Sequence, residues 1–317
     1  EVRVRIGAAG LNFRDLMVAN GSYPTGSSDP MVPLGDAAGT VIETGAAVSR
    51  FKVGDRVVNT YFPGWVDGRP TPANTAGSYG VTLPGVLADE AVFDEQALAA
   101  TPSHLDDVEA ATIACAGITA WNALFVEGGL QPGGSALMLG TGGVSIWALQ
   151  LAKAAGARTF ITSSDDAKLV RARELGAQET INYRTHPDWQ QEVLARTHGE
   201  GVDLVVEVGG NGTLARSVAA TRMGGRIALC NDTGCTDVSR GMSAFAASRS
   251  GRSGARWRPR SSPSASSASS SRSSCRTSPR SCIRTRRCTL TGTRRDIVWC
   301  RASSTRTSPA LSSSWRC

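Results

Sequence analysis

A turn of three closely spaced glycines carries the clearest chemical signal in this chain. The glycines are Gly140, Gly142 and Gly143. The apolar run 136–139 precedes them, and an apolar helix-like segment continues to about Ala155. Such a turn brings backbone close to a phosphate, whose charge the helix N-terminus stabilises. It predicts a pyrophosphate site that also includes Val144, although Ser145 replaces the third glycine of G-x-G-x-x-G.

The residues after the next predicted strand bear on which dinucleotide is bound. In NAD-binding sheets an acidic side chain at this place holds the ribose hydroxyls. Here Ser163 and Ser164 take that place, with Lys168 and Arg171 in the following helix. Hydroxyl groups beside cations suit a 2′-phosphate, which a carboxylate would repel. The pattern favours NADP(H) over NAD(H). However, a small register shift would place Asp165 or Asp166 there, and the two cations could belong to a solvated helix face.

The elements around this turn alternate between apolar runs and amphipathic segments. The predicted strands cover residues 136–139, 158–162, 179–183, 203–208 and 226–230. The predicted helices cover residues 143–155, 166–175, 189–196 and 214–222. This alternation is typical of a doubly wound, parallel α/β sheet. A sheet of this kind that binds another ligand is the alternative.

The first hundred residues have a different pattern. Short alternating runs at 2–6, 40–43 and 56–59 are separated by turns rich in Gly, Pro and Asp. They predict a small, irregular antiparallel β domain.

Several motifs in this order resemble the zinc-independent branch of the medium-chain dehydrogenase/reductase superfamily, which includes quinone-oxidoreductase-like alcohol dehydrogenases. The motifs are residues 9–15, 35–39, 51–57, 111–121 and the turn at Gly140. The resemblance implies a GroES-like β-barrel domain over 1–110, a Rossmann domain over 111–235 and an active site in the cleft between them. It also implies hydride transfer between NADP(H) and a carbonyl, quinone or enone substrate.

The same resemblance implies roles for individual residues. Asn12 and Asp15 lie on the substrate side of the cleft, and Thr119 packs near the nicotinamide. Asn12 either donates to a substrate oxygen that gains charge or caps local backbone. Asp15 is expected to cap the following helix start rather than act as an acid.

Further cofactor contacts are implied for Tyr183, Gly209 and Gly210. In relatives, the residue that Tyr183 resembles contacts the adenosine phosphate, although this tyrosine could instead pack at the sheet edge. The two glycines allow the ribose to approach the end of the fourth strand. The segment 61–70 could cover the cleft with aromatic groups, or form a surface loop anchored by them.

Zinc is not expected. In zinc-dependent relatives a cysteine, a histidine and a second cysteine hold the catalytic metal, and the corresponding residues here are Asn12, Gly35 and Cys115. Only Cys115 could ligate, and one thiolate does not form a tetrahedral site. The sequence therefore predicts no metal, with Cys115 as a small buried apolar residue.

The last eighty residues have an anomalous composition. Residues 239–317 carry 17 Arg, no Lys and one acidic residue, a charge of +16, whereas residues 1–238 carry 17 basic and 26 acidic residues, a charge of −9. A Ser-rich stretch at 261–271 predicts disorder over 236–317. A reading-frame shift after about residue 235 is the preferred explanation. A disulfide or metal module and a nucleic-acid-binding arm are the alternatives, which leaves a non-catalytic basic binding protein as the rival function.

Several expectations follow for the whole chain. The sequence begins inside the first motif, so an initial strand or two is expected to be missing. The strand that forms the usual dimer edge in the family is not recognisable, and weak or no activity is expected. With no membrane span, no signal peptide and few cysteines before residue 230, the expected location is the cytoplasm, with a small-molecule substrate and no nucleic-acid partner.

Overall fold

The computed structural model describes residues 1–23, 25, 31–231, 234–237 and 300–301. Its first part is an antiparallel sheet. The strands are β1 (Val2–Gly10), β2 (Asp36–Thr44), β3 (Arg56–Asn59), β4 (Glu90–Phe93) and β5 (Leu98–Ala100). They pair in the order β1-β2-β3-β5, and β4 pairs with β1. One short helix, α1 (Phe13–Ala19), lies between β1 and β2.

The predicted N-terminal strands are confirmed, and two of them are longer than predicted. Alternation in β1 buries Val2, Val4 and Ile6 in the core of the sheet. The additional residues of β1 and β2 are small, and Ala8 and Ala38 pack against the helix α2 (Asp107–Ala110). Alanine gives little apolar contrast in a sequence, which explains why those strand ends were not predicted.

A helical segment leads from α2 to the second sheet. It consists of a π-helical turn (Ile113–Gly117), the helix α3 (Ile118–Trp121) and a second π-helical turn (Asn122–Val126). Its small residues Ala120 and Ala123 are fully buried. The segment packs against the helix that follows the glycine turn. A Cβ on Gly117 would lie 3.5 Å from the Trp147 ring of that helix, which is an ordinary van der Waals distance.

The second sheet has the doubly wound arrangement that the sequence predicts. Its strands are β6 (Ser135–Met138), β7 (Arg158–Ser163), β8 (Glu179–Asn182), β9 (Val202–Glu207), β10 (Thr221–Asn231) and β11 (Gly234–Asp237). Its helices are α4 (Gly143–Ala154), α5 (Asp166–Glu174), α6 (Trp189–Arg196) and α7 (Leu214–Ala220). The strand order is β11-β10-β9-β6-β7-β8, with every pair parallel except β10–β11. The order reverses between β6 and β9, where such sheets bind ligands at their carboxyl edge.

Both faces of this sheet are covered, so its central strands read as continuous apolar runs. Leu137 and Phe160 are fully buried in the cluster on one face, while Met138 and Ile161 are fully buried in the cluster on the other. This burial on both sides fixes the carboxyl ends of β6, β7 and β9, which carry the predicted cofactor residues.

The predicted basic tail, residues 236–317, lies outside the described residues except for 236–237 and 300–301. Those residues belong to β11 and to β12 (Cys300–Arg301), which pairs antiparallel with β1. In the part of the chain that the structure describes, no helix is long and apolar enough to cross a bilayer.

Candidate active site

The glycine turn has the geometry that phosphate binding needs. Gly140 has a φ of +71°, a left-handed conformation that glycine adopts without strain, and its N–H donates to Thr162 Oγ1 at 3.0 Å. A Cβ on Gly142 would meet no atom within 4 Å. Gly142 is the N-cap of α4 and no side chain caps this helix start. The first backbone N–H groups of a long helix therefore face an open space beside the sheet edge.

The departure at Ser145 has a structural explanation. Its hydroxyl donates to the carbonyl of Leu139 at 2.7 Å, and the residue is buried. The side chain thus bonds the end of β6 to the first turn of α4 where a third glycine would simply allow close packing. Val144, next to it, is half-buried and packs against the core.

Ser163 is the last residue of β7, which answers the question of register. Its buried hydroxyl accepts from the N–H of Asp165 at 3.2 Å and lies 3.4 Å from Thr141 Oγ1. The Asp165 carboxylate instead caps α5, accepting from the N–H of Ala167 at 2.8 Å. A hydroxyl, not a carboxylate, therefore ends the second parallel strand.

The other residues predicted around this strand end are brought close to it. Ser164 follows directly and is half-buried, and Lys168 is exposed on the first turn of α5. The N–H of Tyr183 donates to the Ser163 carbonyl at 2.9 Å, and its side chain is exposed. Arg171 differs, since it pairs with Glu174 at 2.6 Å in a surface ion pair.

The loop after β9 contains a functional candidate that the sequence reasoning missed. Glu207 is fully buried, and its Oε1 accepts from the N–H groups of Gly209 at 2.6 Å and Gly210 at 3.0 Å. The same oxygen accepts from Thr213 Oγ1 at 2.6 Å, and Oε2 accepts from the Ser217 hydroxyl. One carboxylate thus holds the whole predicted ribose loop. An acidic residue closing an apolar strand was the available signal.

Asp15 caps the helix start as predicted. Its Oδ2 accepts from the N–H of Asn12, the N-cap of α1, at 2.7 Å. Burial raises the pKa of this carboxyl group. The side chain of Asn12 belongs to the same capping box, and its Nδ2 donates to Asp36 Oδ2 at 3.0 Å.

Asp36 is the second residue that the sequence reasoning missed. It is 1% exposed, and its Oδ2 also accepts from the N–H of Cys115 at 3.1 Å. Its Oδ1 has no hydrogen-bond partner. Burial raises the pKa of Asp36 to about 7 and that of the Cys115 thiol to about 12. Cys115 is therefore a thiol at neutral pH, and its Sγ accepts from Arg14 Nη2 at 3.0 Å.

Gly35, which directly precedes Asp36, lies against Tyr61 and Tyr79. A Cβ at this position would come within 2.7 Å of the Tyr61 ring and 2.8 Å of the Tyr79 carbonyl. Tyr61, the first residue of the predicted cleft segment, is buried and packs edge-on to Phe62. Among the described residues, no group of three His, Cys, Asp or Glu side chains could hold a metal ion.

The helical segment connects the group formed by Asn12, Asp36 and Cys115 with the helix that follows the glycine turn. Cys115 lies in its first π-helical turn, and the half-buried Thr119 lies one turn later in α3. Thr112, just before the segment, accepts from Trp147 Nε1 of α4 at 2.7 Å. The predicted catalytic residues of the first domain and α4 are thus joined through one helical segment.

Comparison with known families matches both parts of the chain. Residues 1–103 match the alcohol dehydrogenase GroES-like domain, and residues 143–246 match the zinc-binding dehydrogenase family. A zinc-type alcohol dehydrogenase-like protein of Schizosaccharomyces pombe is 44% identical over 231 residues, which cover 72% of this chain and 67% of that protein.

Solved structures of similar proteins are also described as alcohol dehydrogenases or quinone oxidoreductases. A protein of Sinorhizobium meliloti 1021 described as an alcohol dehydrogenase is 42% identical, with a TM-score of 0.67, over 72% of this chain and 67% of that one. A protein described as an NAD-dependent alcohol dehydrogenase is 38% identical, with a TM-score of 0.65, over 72% of this chain and 68% of that one. A quinone oxidoreductase of Pseudomonas syringae pv. Tomato DC3000 is 30% identical, with a TM-score of 0.61, over 77% of this chain and 69% of that one.

Proposed function

The chain belongs to the medium-chain dehydrogenase/reductase superfamily of nicotinamide-dependent oxidoreductases, and we propose that it transfers a hydride between NADP(H) and a carbonyl, quinone or enone. The glycine turn carries this proposal. It leaves open space at Gly142 in front of an uncapped helix start, at the reversal point of a parallel sheet. The bound dinucleotide would supply the hydride, and the chain's residues would hold its phosphates.

The preference for NADP(H) rests on the end of β7. Ser163 ends the strand, Ser164 follows, and the carboxylate of Asp165 is engaged in capping α5. The residue at the strand end is therefore a hydroxyl, while Asp165 caps α5 and the Asp166 carboxylate accepts from Asn182 at 2.8 Å. The exposed side chain of Tyr183 would contact the adenosine phosphate of the coenzyme. One relative is described as NAD-dependent, so the two coenzymes need direct comparison.

Zinc independence is the second part of the proposal. The residues at the metal-ligand positions do not fit zinc, since Asn12 donates its amide to Asp36 and Gly35 has no side chain. Cys115 is a thiol that accepts from the Arg14 guanidinium, and a cation beside the sulfur opposes a second cation. Asn12, Asp15 and Thr119 are then the candidates for contacts to substrate and nicotinamide.

Coenzyme titration followed by turnover tests the proposed function. The full chain is titrated with NADPH and NADH, followed by the fluorescence of the reduced nicotinamide. It is then assayed against a panel of quinones, enones and aldehydes. We expect tighter binding of NADPH than of NADH, and turnover that added chelator leaves unchanged. Absence of binding by both coenzymes would contradict the proposal, and chelator-sensitive turnover would contradict zinc independence.

A further inference from the structure

Arg14 is a cation fixed in place at the substrate side of the site. Its guanidinium lies over the Tyr61 ring at 4.1 Å, with the Tyr23 ring centroid at 5.9 Å. Its Nη2 donates to Cys115 Sγ at 3.0 Å. Stacking and this hydrogen bond restrict the side chain, which is only half-buried. Arg14 therefore presents a positive charge in a defined position.

The guanidinium has no strong anionic partner. Within the described part of the chain, none of the ion pairs involves Arg14. The nearby Asp15 and Asp36 carboxylates accept from Asn12 and Cys115 instead. The Cys115 thiol and the Tyr23 side chain, which also hydrogen-bonds the guanidinium, are neutral acceptors, and arginine keeps its charge at every physiological pH. Donor capacity thus remains for a better acceptor.

Asn12 was the sequence-based candidate for holding a substrate oxygen, but its amide already donates to Asp36. Arg14, two residues later, carries full charge and faces the sulfur that marks the metal position of zinc-dependent relatives. We infer that Arg14, rather than Asn12, binds the substrate oxygen on which negative charge develops. This inference rests on the proposed function and makes Arg14 a catalytic residue.

The proposed step balances without a metal. In reduction, the carbonyl carbon, or the β-carbon of an enone or quinone, receives the hydride and forms a C–H bond. In a carbonyl, the π pair of the C=O bond moves to the oxygen, which becomes an alkoxide. In an enone or quinone, the C=C pair forms a new double bond to the carbonyl carbon, and the C=O pair moves to the oxygen, which becomes an enolate. The guanidinium N–H groups stabilise this oxyanion until it takes a proton from solvent. The bound coenzyme would supply the hydride from a C–H bond of its reduced nicotinamide ring and would thereby be oxidised.

Cys115 gives a test that needs neither coenzyme nor turnover. Iodoacetate and iodoacetamide both alkylate a thiolate with loss of iodide, but only iodoacetate carries a negative charge. Since both reagents attack the same thiolate, the ratio of their rates at Cys115 does not depend on the thiol pKa. Peptide mass spectrometry of the full chain separates Cys115 from the other cysteines.

We expect the iodoacetate-to-iodoacetamide ratio at Cys115 to fall about tenfold in Arg14→Gln and to be largely retained in Arg14→Lys. Arg50→Gln is the matched control, because Arg50 also stacks on a ring, Phe51 at 5.2 Å, but elsewhere on the surface. An equal ratio in wild type and Arg14→Gln overturns the inference. So does absence of labelling by both reagents, since substrate must reach the same place.

Kinetics separate this inference from the proposed function. In Arg14→Gln we expect unchanged NADPH affinity and a kcat lower by about a hundredfold, with a smaller change in KM and partial recovery in Arg14→Lys. If wild type does not bind NADPH, the proposed function fails while the labelling ratio still tests Arg14 as an anion-binding group. Normal turnover in Arg14→Gln would overturn the role of Arg14.

Discussion

At the scale of single residues, one buried carboxylate connects two elements of the candidate site. Asp36 accepts from the side chain of Asn12 and from the backbone of Cys115, so it links α1 with the helical segment. Arg14 and Asp15 are the neighbouring charged groups that influence its titration. Burying such a group is costly when it is ionised, because only part of its lost hydration is replaced.

The pH dependence of stability should reveal this cost. Burial raises the pKa of Asp36 from 3.8 to about 7, so between these values the folded chain holds a proton that the unfolded chain has released. The contribution of Asp36 to the free energy of unfolding therefore falls as pH rises through this window, and it levels off above about pH 7. Asp36→Asn removes the titration while its Oδ1 can still accept both hydrogen bonds. We expect the variant to gain about 1–3 kcal/mol relative to wild type between about pH 5 and pH 8.

Urea unfolding at several pH values measures this difference. Asp55→Asn is the control, because hydrogen bonds from Lys52 lower the pKa of the half-buried Asp55, whose titration lies below this window. Its difference from wild type should be flat above about pH 5. A flat difference for Asp36→Asn as well would show that Asp36 is ionised throughout.

Gly142 provides a second prediction at this scale. Gly142→Asp places a carboxylate in the open space in front of α4, where it repels a phosphate and can cap the helix. We expect NADPH affinity to fall by more than about tenfold with unchanged or slightly higher thermal stability. Fluorescence titration and thermal unfolding measure the two effects. Gly45→Ala just after β2, where a Cβ would reach only ordinary contact with Glu1, should change neither.

At the scale of elements, the loop between β9 and α7 depends on the four hydrogen bonds that Glu207 accepts. The N–H groups of Gly209 and Gly210 are thereby turned toward the protein, which leaves this loop to approach a ribose by shape rather than by those donors. Glu207 is a positioning residue in this arrangement.

Substitutions at Glu207 should separate loop geometry from charge. Glu207→Gln keeps an acceptor for the two glycines and Thr213 and can donate to Ser217, whereas Glu207→Ala leaves these groups unpaired. We expect Glu207→Ala to lose about 2–4 kcal/mol of stability and most NADPH affinity, and Glu207→Gln to retain most of both. Equal losses in the two variants would mean that the charge itself is required.

The elements were largely predictable from sequence, and the network of side chains was not. Burial of β6, β7 and β9 on both faces leaves continuous apolar runs, which a single sequence displays directly. The partners of Glu207 and of Arg14 depend on the folded arrangement. The hydrogen bond from Arg14 to Cys115, for example, joins residues that are 101 positions apart in the sequence. The end of β7 was uncertain by two residues because Asp165 could have closed a strand as well as capped a helix.

At the scale of the whole molecule, charge divides the chain into an acidic part of −9 and a basic part of +16. The predicted cofactor residues lie in the acidic part, where the start of α4 and Lys168 would have to attract phosphate against the net charge. Binding of polyanions and binding of coenzyme should therefore be separate properties of this chain.

Salt dependence tests that separation. We expect the full chain to bind labelled single-stranded RNA at low salt, with affinity falling by more than about tenfold between roughly 50 and 200 mM salt. NADPH affinity should change far less, and excess RNA should not displace NADPH. Fluorescence anisotropy measures the RNA. Competition between RNA and NADPH would instead favour the basic binding protein as the function.

The crowding around Gly35 sets a barrier to redesign. Installing an imidazole there would push into the Tyr61 ring and the Tyr79 carbonyl, and Tyr61 in turn supports the guanidinium of Arg14. Gly35→His alone would therefore displace the Tyr61 ring, and with it the surface on which the guanidinium is stacked.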